Sequence, residues 1–265
     1  MESLNFLEQL AFLEEQKNGP APWEGAGVLL LLYFEEKGVK EESGQYVFLL
    51  NKRSKKVPQA GDICAPGGGV HPIWDSALQK FMQFGLVPWA KGPGLELAKL
   101  KGKKLYQKIL LFLGSALRES WEEIHLRPSN VEFWGPLPAY RLLTRRWITF
   151  PMVGQVKHPW TNQLNWEVEK IISIPLQEFF DPQNYAIYSL KEPNGFRSEE
   201  GPHYREFPCL VHKEGGEEEI LWGATFYIIR SFLKIVIPDR LPSPDGRRVI
   251  YKSLDSNYLS GERRV

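Results

Sequence analysis

The segment Leu117-Arg118-Glu119-Ser120-Trp121-Glu122-Glu123-Ile124-His125-Leu126 concentrates acid where the apolar spacing predicts a helix. At about 100° per residue, Glu119, Glu122 and Glu123 fall within one arc of roughly 100°, so three carboxylates share a face. Like charges three and four residues apart cost a few tenths of a kcal/mol each in a plain helix, and the cluster therefore needs compensation. A divalent cation would supply it: hard oxygen ligands of this kind suit Mg²⁺ or Mn²⁺, which bind through a few carboxylates and the oxygens of a substrate phosphate. Taken alone, such a face is also read as a solvated surface neutralised by Arg118 and nearby lysines.

The elements around the acids must hold them in place. Leu110, Leu113, Leu117, Trp121 and Ile124 form the opposite stripe of the same helix, spaced to pack on a core. Upstream, Cys64-Ala65-Pro66-Gly67-Gly68-Gly69 is a Gly-rich turn, which lets backbone N–H groups approach a phosphate or lets a chain pack closely beneath a helix. Val28–Phe34 reads as a buried strand and Tyr46–Leu50 as its hairpin partner across the charged turn Glu35–Gly44. Further apolar runs at Val131–Trp134, Trp147–Val156, Trp166–Ile174, Tyr185–Leu190 and Phe207–His212 predict a largely β core. Helical spacing marks residues 1–18, 96–125, 176–180 and 222–237. Strands and helices are interspersed without regular alternation, which predicts an α+β arrangement with a mixed sheet over a doubly wound one.

The chain has 265 residues, 43% hydrophobic and 25% charged, which excludes disordered and collagen-like classes. Its formal charge is +1, so no global field favours nucleic acid or anionic lipid, and neither nucleic acid nor membrane is expected as a partner. The longest apolar run, Val28–Phe34, is far shorter than the about 20 residues a spanning helix needs. Two cysteines in unrelated contexts, Cys64 and Cys209, support neither a disulfide framework nor a zinc site, and a cytoplasmic location is expected. His71, His158, His203 and His212 follow no ligand spacing.

Read together, the Gly-rich turn and the downstream Arg-Glu-x-x-Glu-Glu resemble the box of the Nudix hydrolases, G-x5-E-x7-R-E-U-x-E-E-x-G-U with U apolar. Leu49-Leu50-Asn51-Lys52-Arg53-Ser54, then Gly61, then Pro66-Gly67-Gly68, is similar to the signature upstream of the box in the coenzyme A diphosphatase subgroup. Asn51, Pro58 and Ala65 differ from that signature in identity while its spacing is kept. Thr149–Gly154, Asn165–Val168 leading to Ile174-Pro175-Leu176, and Leu221–Thr225 follow in the subgroup's order, so the resemblance covers roughly residues 25–237. Three features depart from the box. About 36 residues more than the motif allows separate Gly68 from Arg118, His125 stands at the box Gly after the helix, and Ser120 takes an apolar position. The acid nearest the place of the first box Glu is Asp75.

The resemblance implies a Nudix-type α/β/α sandwich with a mixed β-sheet over residues 1–237, a helical insertion at 72–113, and a loosely held tail at 238–265. It implies a metal-dependent attack of water on the diphosphate of coenzyme A or a related small molecule. Glu119, Glu122 and Glu123 would be ligands for Mg²⁺ or Mn²⁺, and Arg118 would hold the glutamates. Arg53, Ser54, Gly67, Gly68 and Glu167 would bind substrate. Alternatives are a silent Nudix-like module that binds a nucleotide or protein, and a hydrolase of another substrate such as ADP-ribose or NADH; a homodimer is also allowed. The lysines between Lys91 and Lys108 are either a solvated face or a basic rim drawing in a polyphosphate.

Overall fold

The computed structural model describes residues 2–16, 22–36, 44–87, 89, 91–142, 146–191, 204–254 and 258. The middle of the expected hairpin turn, Pro88 and His203 lie outside the described residues. In chain order the elements are α1 (Glu2–Gln16), β1 (Glu24–Glu36), β2 (Gly44–Arg53), β3 (Ile63–Cys64), β4 (Gly67–Gly69), α2 (Trp74–Gln83), α3 (Pro93–Lys101) and α4 (Lys103–Ile124). They continue with β5 (Val131–Pro136), β6 (Tyr140–Leu142), β7 (Trp147–Val156), β8 (Val168–Pro175), β9 (Tyr185–Lys191), β10 (Tyr204–Glu214), β11 (Glu217–Trp222), α5 (Gly223–Val236) and β12 (Arg248–Ser253). The chain divides into two compact units, Met1–Leu49 with Ala65–Asn165, and Leu50–Cys64 with Trp166–Val265, and one boundary falls inside β2.

In the first unit β1 is the central strand. It pairs antiparallel with β2 from Leu31↔Leu49 to Glu36↔Gly44, antiparallel with β4 from Ala26↔Gly69 to Val28↔Gly67, and parallel with β7 from Glu24↔Trp147 to Tyr33↔Val156. β5 and β6 extend the sheet antiparallel to β7. Leu29, Leu30, Leu31 and Leu32 are all buried, which explains an unbroken apolar run where a half-buried strand would alternate. The sheet is mixed and the class is α+β, as the interspersed strands and helices of the sequence predict.

α4 lies against β1 and β4, with Phe112 stacked on Phe150 of β7 at 3.9 Å between ring centroids. The approach is close because Gly27 has no side chain: a Cβ there would stand 2.2 Å from the Phe112 carbonyl oxygen. The obstacle is backbone and cannot swing aside. Gly27→Ala is therefore expected to destabilise the protein by about 1–3 kcal/mol or more, read as a lower urea midpoint at unchanged m-value. A midpoint equal to wild type would show that α4 is not held at this distance.

Residues 72–113 hold α2, α3 and the first half of α4. α2 packs on α4, and the helix expected over 96–125 is two helices, because Gly102 takes φ +125° between α3 and α4.

In the second unit β11, β10, β9 and β12 form a four-stranded sheet, and β3 pairs with the last residues of β2 at Asn51↔Cys64 and Lys52↔Ile63. Tyr188, Leu190, Cys209 and Val211 make its core with Trp222 packed against them. α5 adds Phe226, Ile229 and Leu233 and carries a buried Arg230, whose Nη1 donates to the Tyr185 hydroxyl at 2.9 Å and whose Nη2 donates to the Pro242 carbonyl at 2.9 Å. The stretch from residue 238 differs from a loosely held tail: Arg248–Ser253 is a strand paired in parallel with β9 from Arg248↔Ala186 to Ser253↔Lys191.

Candidate active site

α4 has 22 residues, and the acids stand at its C-terminal end. The helix stops where His125 enters the left-handed region at φ 58°, ψ 27°, a C-cap conformation that glycine most often supplies. The Trp121 ring lies 4.0 Å from the His125 ring, and the Asn165 backbone N–H donates to the Glu123 carbonyl at 3.0 Å. The Trp160 indole N–H donates to the Ile124 carbonyl at 3.3 Å. Both satisfy carbonyls that a helix end leaves without an intrahelical donor. Ser120, at an apolar box position, is buried and returns its hydroxyl to the Ala116 carbonyl at 2.8 Å.

Arg118 is the hub. Its Nε donates to Asp75 Oδ1 at 2.8 Å and its Nη2 to Asp75 Oδ2 at 3.3 Å; Nη2 also meets Glu119 Oε1 at 2.9 Å, and Nη1 reaches the Glu122 carboxylate at 3.2 Å. Asp75 is fully buried in the first turn of α2, and its Oδ2 also accepts the His71 backbone N–H at 2.7 Å. Burial works against the Arg118 charge, but the Asp75 hydrogen bond and the Glu119 carboxylate outweigh it and raise the guanidinium pKa above its ordinary value.

Asp75, named from sequence as the acid nearest the first box Glu but given no role there, is the partner of Arg118. Counted from Gly69 instead of Gly68, the spacing G-x5-E lands on Asp75, so the signal was present. The rest of α2, α3 and the first part of α4 lie between Asp75 and Arg118 in the chain, and the ion pair joins the two ends of that stretch.

The three glutamates are not equivalent. The Glu122 side chain is half exposed, that of Glu119 is mostly covered, and Glu123 is buried. β4 runs over Glu119: a Cβ on Gly68 would stand 2.6 Å from Glu119 Oε1, so glycine is what lets the loop and the carboxylate meet. On Gly67 a Cβ would stand 2.4 Å from the Gly27 carbonyl oxygen. Among the described residues no cluster of His, Cys, Asp or Glu side chains meets the geometry of a formed metal site. The donor chemistry nevertheless fits a hard divalent cation, because Asp75, Glu119 and Glu122 bring three carboxylates to one guanidinium and Glu123 adds a fourth on the same helix end.

The other expected binding residues belong to the second unit. There Arg53 Nε donates to the Pro58 carbonyl at 2.8 Å. The Ser54 hydroxyl donates to the Trp166 carbonyl at 2.7 Å, and the Ser54 N–H donates to the Glu167 carbonyl at 2.8 Å, which joins Ser54 and Glu167 through the backbone. Lys52 is engaged by Glu219 at 2.9 Å and Glu169 at 3.6 Å. Glu219, with Lys170 2.8 Å away, was not singled out from sequence.

The lysines of the insertion are placed differently from a rim around the acids. Along α4, Lys104 and Glu119 are 15 positions apart, about 22 Å at 1.5 Å per residue, well beyond a Debye length of about 8 Å at physiological salt. Lys108 pairs with Glu14 at 2.6 Å and Lys99 with Glu96 at 3.1 Å.

No protein-family profile matches this chain, and no curated protein matches it in sequence. Solved structures do resemble it in part. A Nudix hydrolase from Alicyclobacillus acidocaldarius aligns at TM-score 0.40 and 13% identity, over 61% of this chain and 83% of that one. A C. elegans Ap4A hydrolase in a binary complex aligns at TM-score 0.35 and 16% identity, over 58% and 81%. The Nudix domain of Shewanella oneidensis NrtR, solved with ADP ribose, aligns at TM-score 0.34 and 14% identity, over 63% and 83%.

Proposed function

We propose that this protein is a Nudix-type diphosphatase that hydrolyses coenzyme A or a closely related nucleoside diphosphate-linked molecule with Mg²⁺ or Mn²⁺. The observation that carries the reading is Arg118, held among Asp75, Glu119 and Glu122 on a helix end that the Gly68 loop crosses. A surface with no chemistry to perform has little reason to gather carboxylates that repel one another.

Glu119, Glu122 and Glu123 would hold the ion, which when bound neutralises diphosphate charge and lowers the pKa of a coordinated water. The chain's own part is positional. Arg118 fixes the carboxylate rotamers through charge-assisted hydrogen bonds, and buried Asp75 fixes Arg118. A glutamate Oε of the helix accepts or orients the proton of the attacking water. The water oxygen bonds to one phosphorus, the bridging P–O bond breaks, and coenzyme A yields adenosine 3′,5′-bisphosphate and 4′-phosphopantetheine. Arg53, Ser54 and Glu167 are proposed to recognise the substrate, with Gly67 and Gly68 offering backbone N–H groups. Arg53 supplies a guanidinium fork suited to a phosphate.

Mass-spectrometric product analysis after incubation with coenzyme A, ADP-ribose and NADH, each with Mg²⁺ or Mn²⁺, tests both class and substrate. Adenosine 3′,5′-bisphosphate from coenzyme A, formed faster than products of the other two, is the expected result. Preferential cleavage of ADP-ribose or NADH would retain the chemistry and replace the substrate. Ligand-dependent thermal stabilisation without turnover would favour a silent binding module.

A further inference from the structure

α2 packs against α4 with one face and leaves the other to solvent. Asp75, Leu78 and Met82 face α4: Asp75 reaches Arg118, while Leu78 and Met82 line the space above Gly114. Gln79 donates to the Gln107 carbonyl at 2.7 Å and Gln107 donates to Gln83 at 3.3 Å, so the two helices run antiparallel. On the opposite side Ile73, Trp74, Phe81 and Phe84 fall within an arc of about 100°. They are 73%, 67%, 49% and 71% exposed, and Leu86 continues the patch at 67%. α3, which also packs on α4, exposes Leu97 and Leu100. An exposed aromatic face of this kind is what a soluble surface avoids, and it marks a contact.

Charge selects the occupant. From residue 76 to 108 the chain has seven lysines and one acid, Glu96, in a protein of net charge +1. Antiparallel packing brings the end of α2, with Phe84 and Leu86, to the start of α4, where exposed Lys103 and Lys104 stand and Lys101 precedes them. A second copy of the chain docked across a two-fold would set these lysines against one another. Trp, Phe and Leu bordered by Lys is the composition of a segment that lies in the interface of an anionic bilayer. We infer that the α2 face and the adjoining lysines form a peripheral docking surface for an anionic lipid membrane. Spanning is a separate matter: no described helix is long and apolar enough to cross a bilayer. The inference does not rest on the diphosphatase reading: the patch runs along α2 from Ile73 and Trp74, beside Asp75, to Leu86, and the lysines that select the occupant stand at the end of α4 away from the carboxylates.

The test is co-sedimentation of the full-length protein with vesicles of phosphatidylcholine alone and of phosphatidylcholine with phosphatidylserine, at low and physiological salt. Binding to the anionic vesicles is expected, with at least a tenfold loss in Phe81→Ser/Phe84→Ser/Leu86→Ser and in Lys101→Glu/Lys103→Glu/Lys104→Glu. Unchanged circular dichroism and thermal midpoint in both variants would establish that they fold. Brominated lipid should quench part of the wild-type tryptophan fluorescence, and Trp74→Phe should remove that part. Equal partition of wild type and both variants, or no partition to either vesicle, would overturn the inference. So would self-association, or capture of an acidic protein, that the apolar substitutions abolish while vesicle binding is absent.

Discussion

Glu122→Gln and Glu123→Gln are each expected to lower diphosphate turnover about a hundredfold or more while leaving the protein folded. The amide keeps the size and one acceptor oxygen of the carboxylate but loses the charge that a hard cation requires. For Glu122 the structural cost is small, because its side chain is half exposed and its bond to Arg118 is a solvent-screened pair worth under about 1 kcal/mol. Glu123 is buried, so its variant needs a separate control by thermal melting. The effects should differ from a loss of substrate affinity: kcat falls, and the Mn²⁺ concentration giving half-maximal rate rises. Wild-type turnover by either variant at saturating Mg²⁺ would remove that residue from the proposed ligand set.

How far the sequence reveals this site depends on whether the decisive contacts are local. The stripe of α4 is legible because the helical period alone dictates it, and Leu110, Leu113, Leu117 and Ile124 are buried. Trp121 remains partly exposed because it covers His125 at the cap. The β1–β2 hairpin and the spans of β7 and β9 are legible for the same reason, since their runs are apolar and bounded by turn residues. β11 is not. Glu217, Glu218 and Glu219 offer no apolar run to mark a strand, yet Glu219 is buried because Lys52 and Lys170, from distant parts of the sequence, neutralise it. The Gly215-Gly216 turn, with φ of +60° and +87°, is the local sign that a hairpin was present. β12 is hidden likewise: Arg248 is anchored by Glu218 at 2.6 Å, a partner 30 residues away. Gly102, tolerable in a helical pattern, breaks it here because the chain needs a positive φ between α3 and α4.

Arg118→Ala should have the largest effect on stability, a loss of about 3–5 kcal/mol in urea unfolding. Asp75 is fully buried and receives two of its hydrogen bonds from Arg118, so truncating the arginine leaves a carboxylate with the His71 N–H in place of a guanidinium. The loss is chiefly the cost of a buried charge without its partner, which gives a diagnostic second variant. Asp75→Asn in the Arg118→Ala background removes that charge and should recover a substantial part of the stability, so the pair shows strong non-additivity in a double-mutant cycle. Turnover should not recover, because Glu119 and Glu122 still lack the guanidinium that orients them. Arg118→Lys keeps a positive charge but not the fork that reaches Asp75 through Nε and Nη2 at once, and should fall between the two in both measurements. Additive losses would mean that Asp75 and Arg118 do not act as a unit. Recovery of turnover together with stability would mean that Arg118 serves the fold alone, and that the glutamates take their geometry from α4 and the Gly68 loop without it.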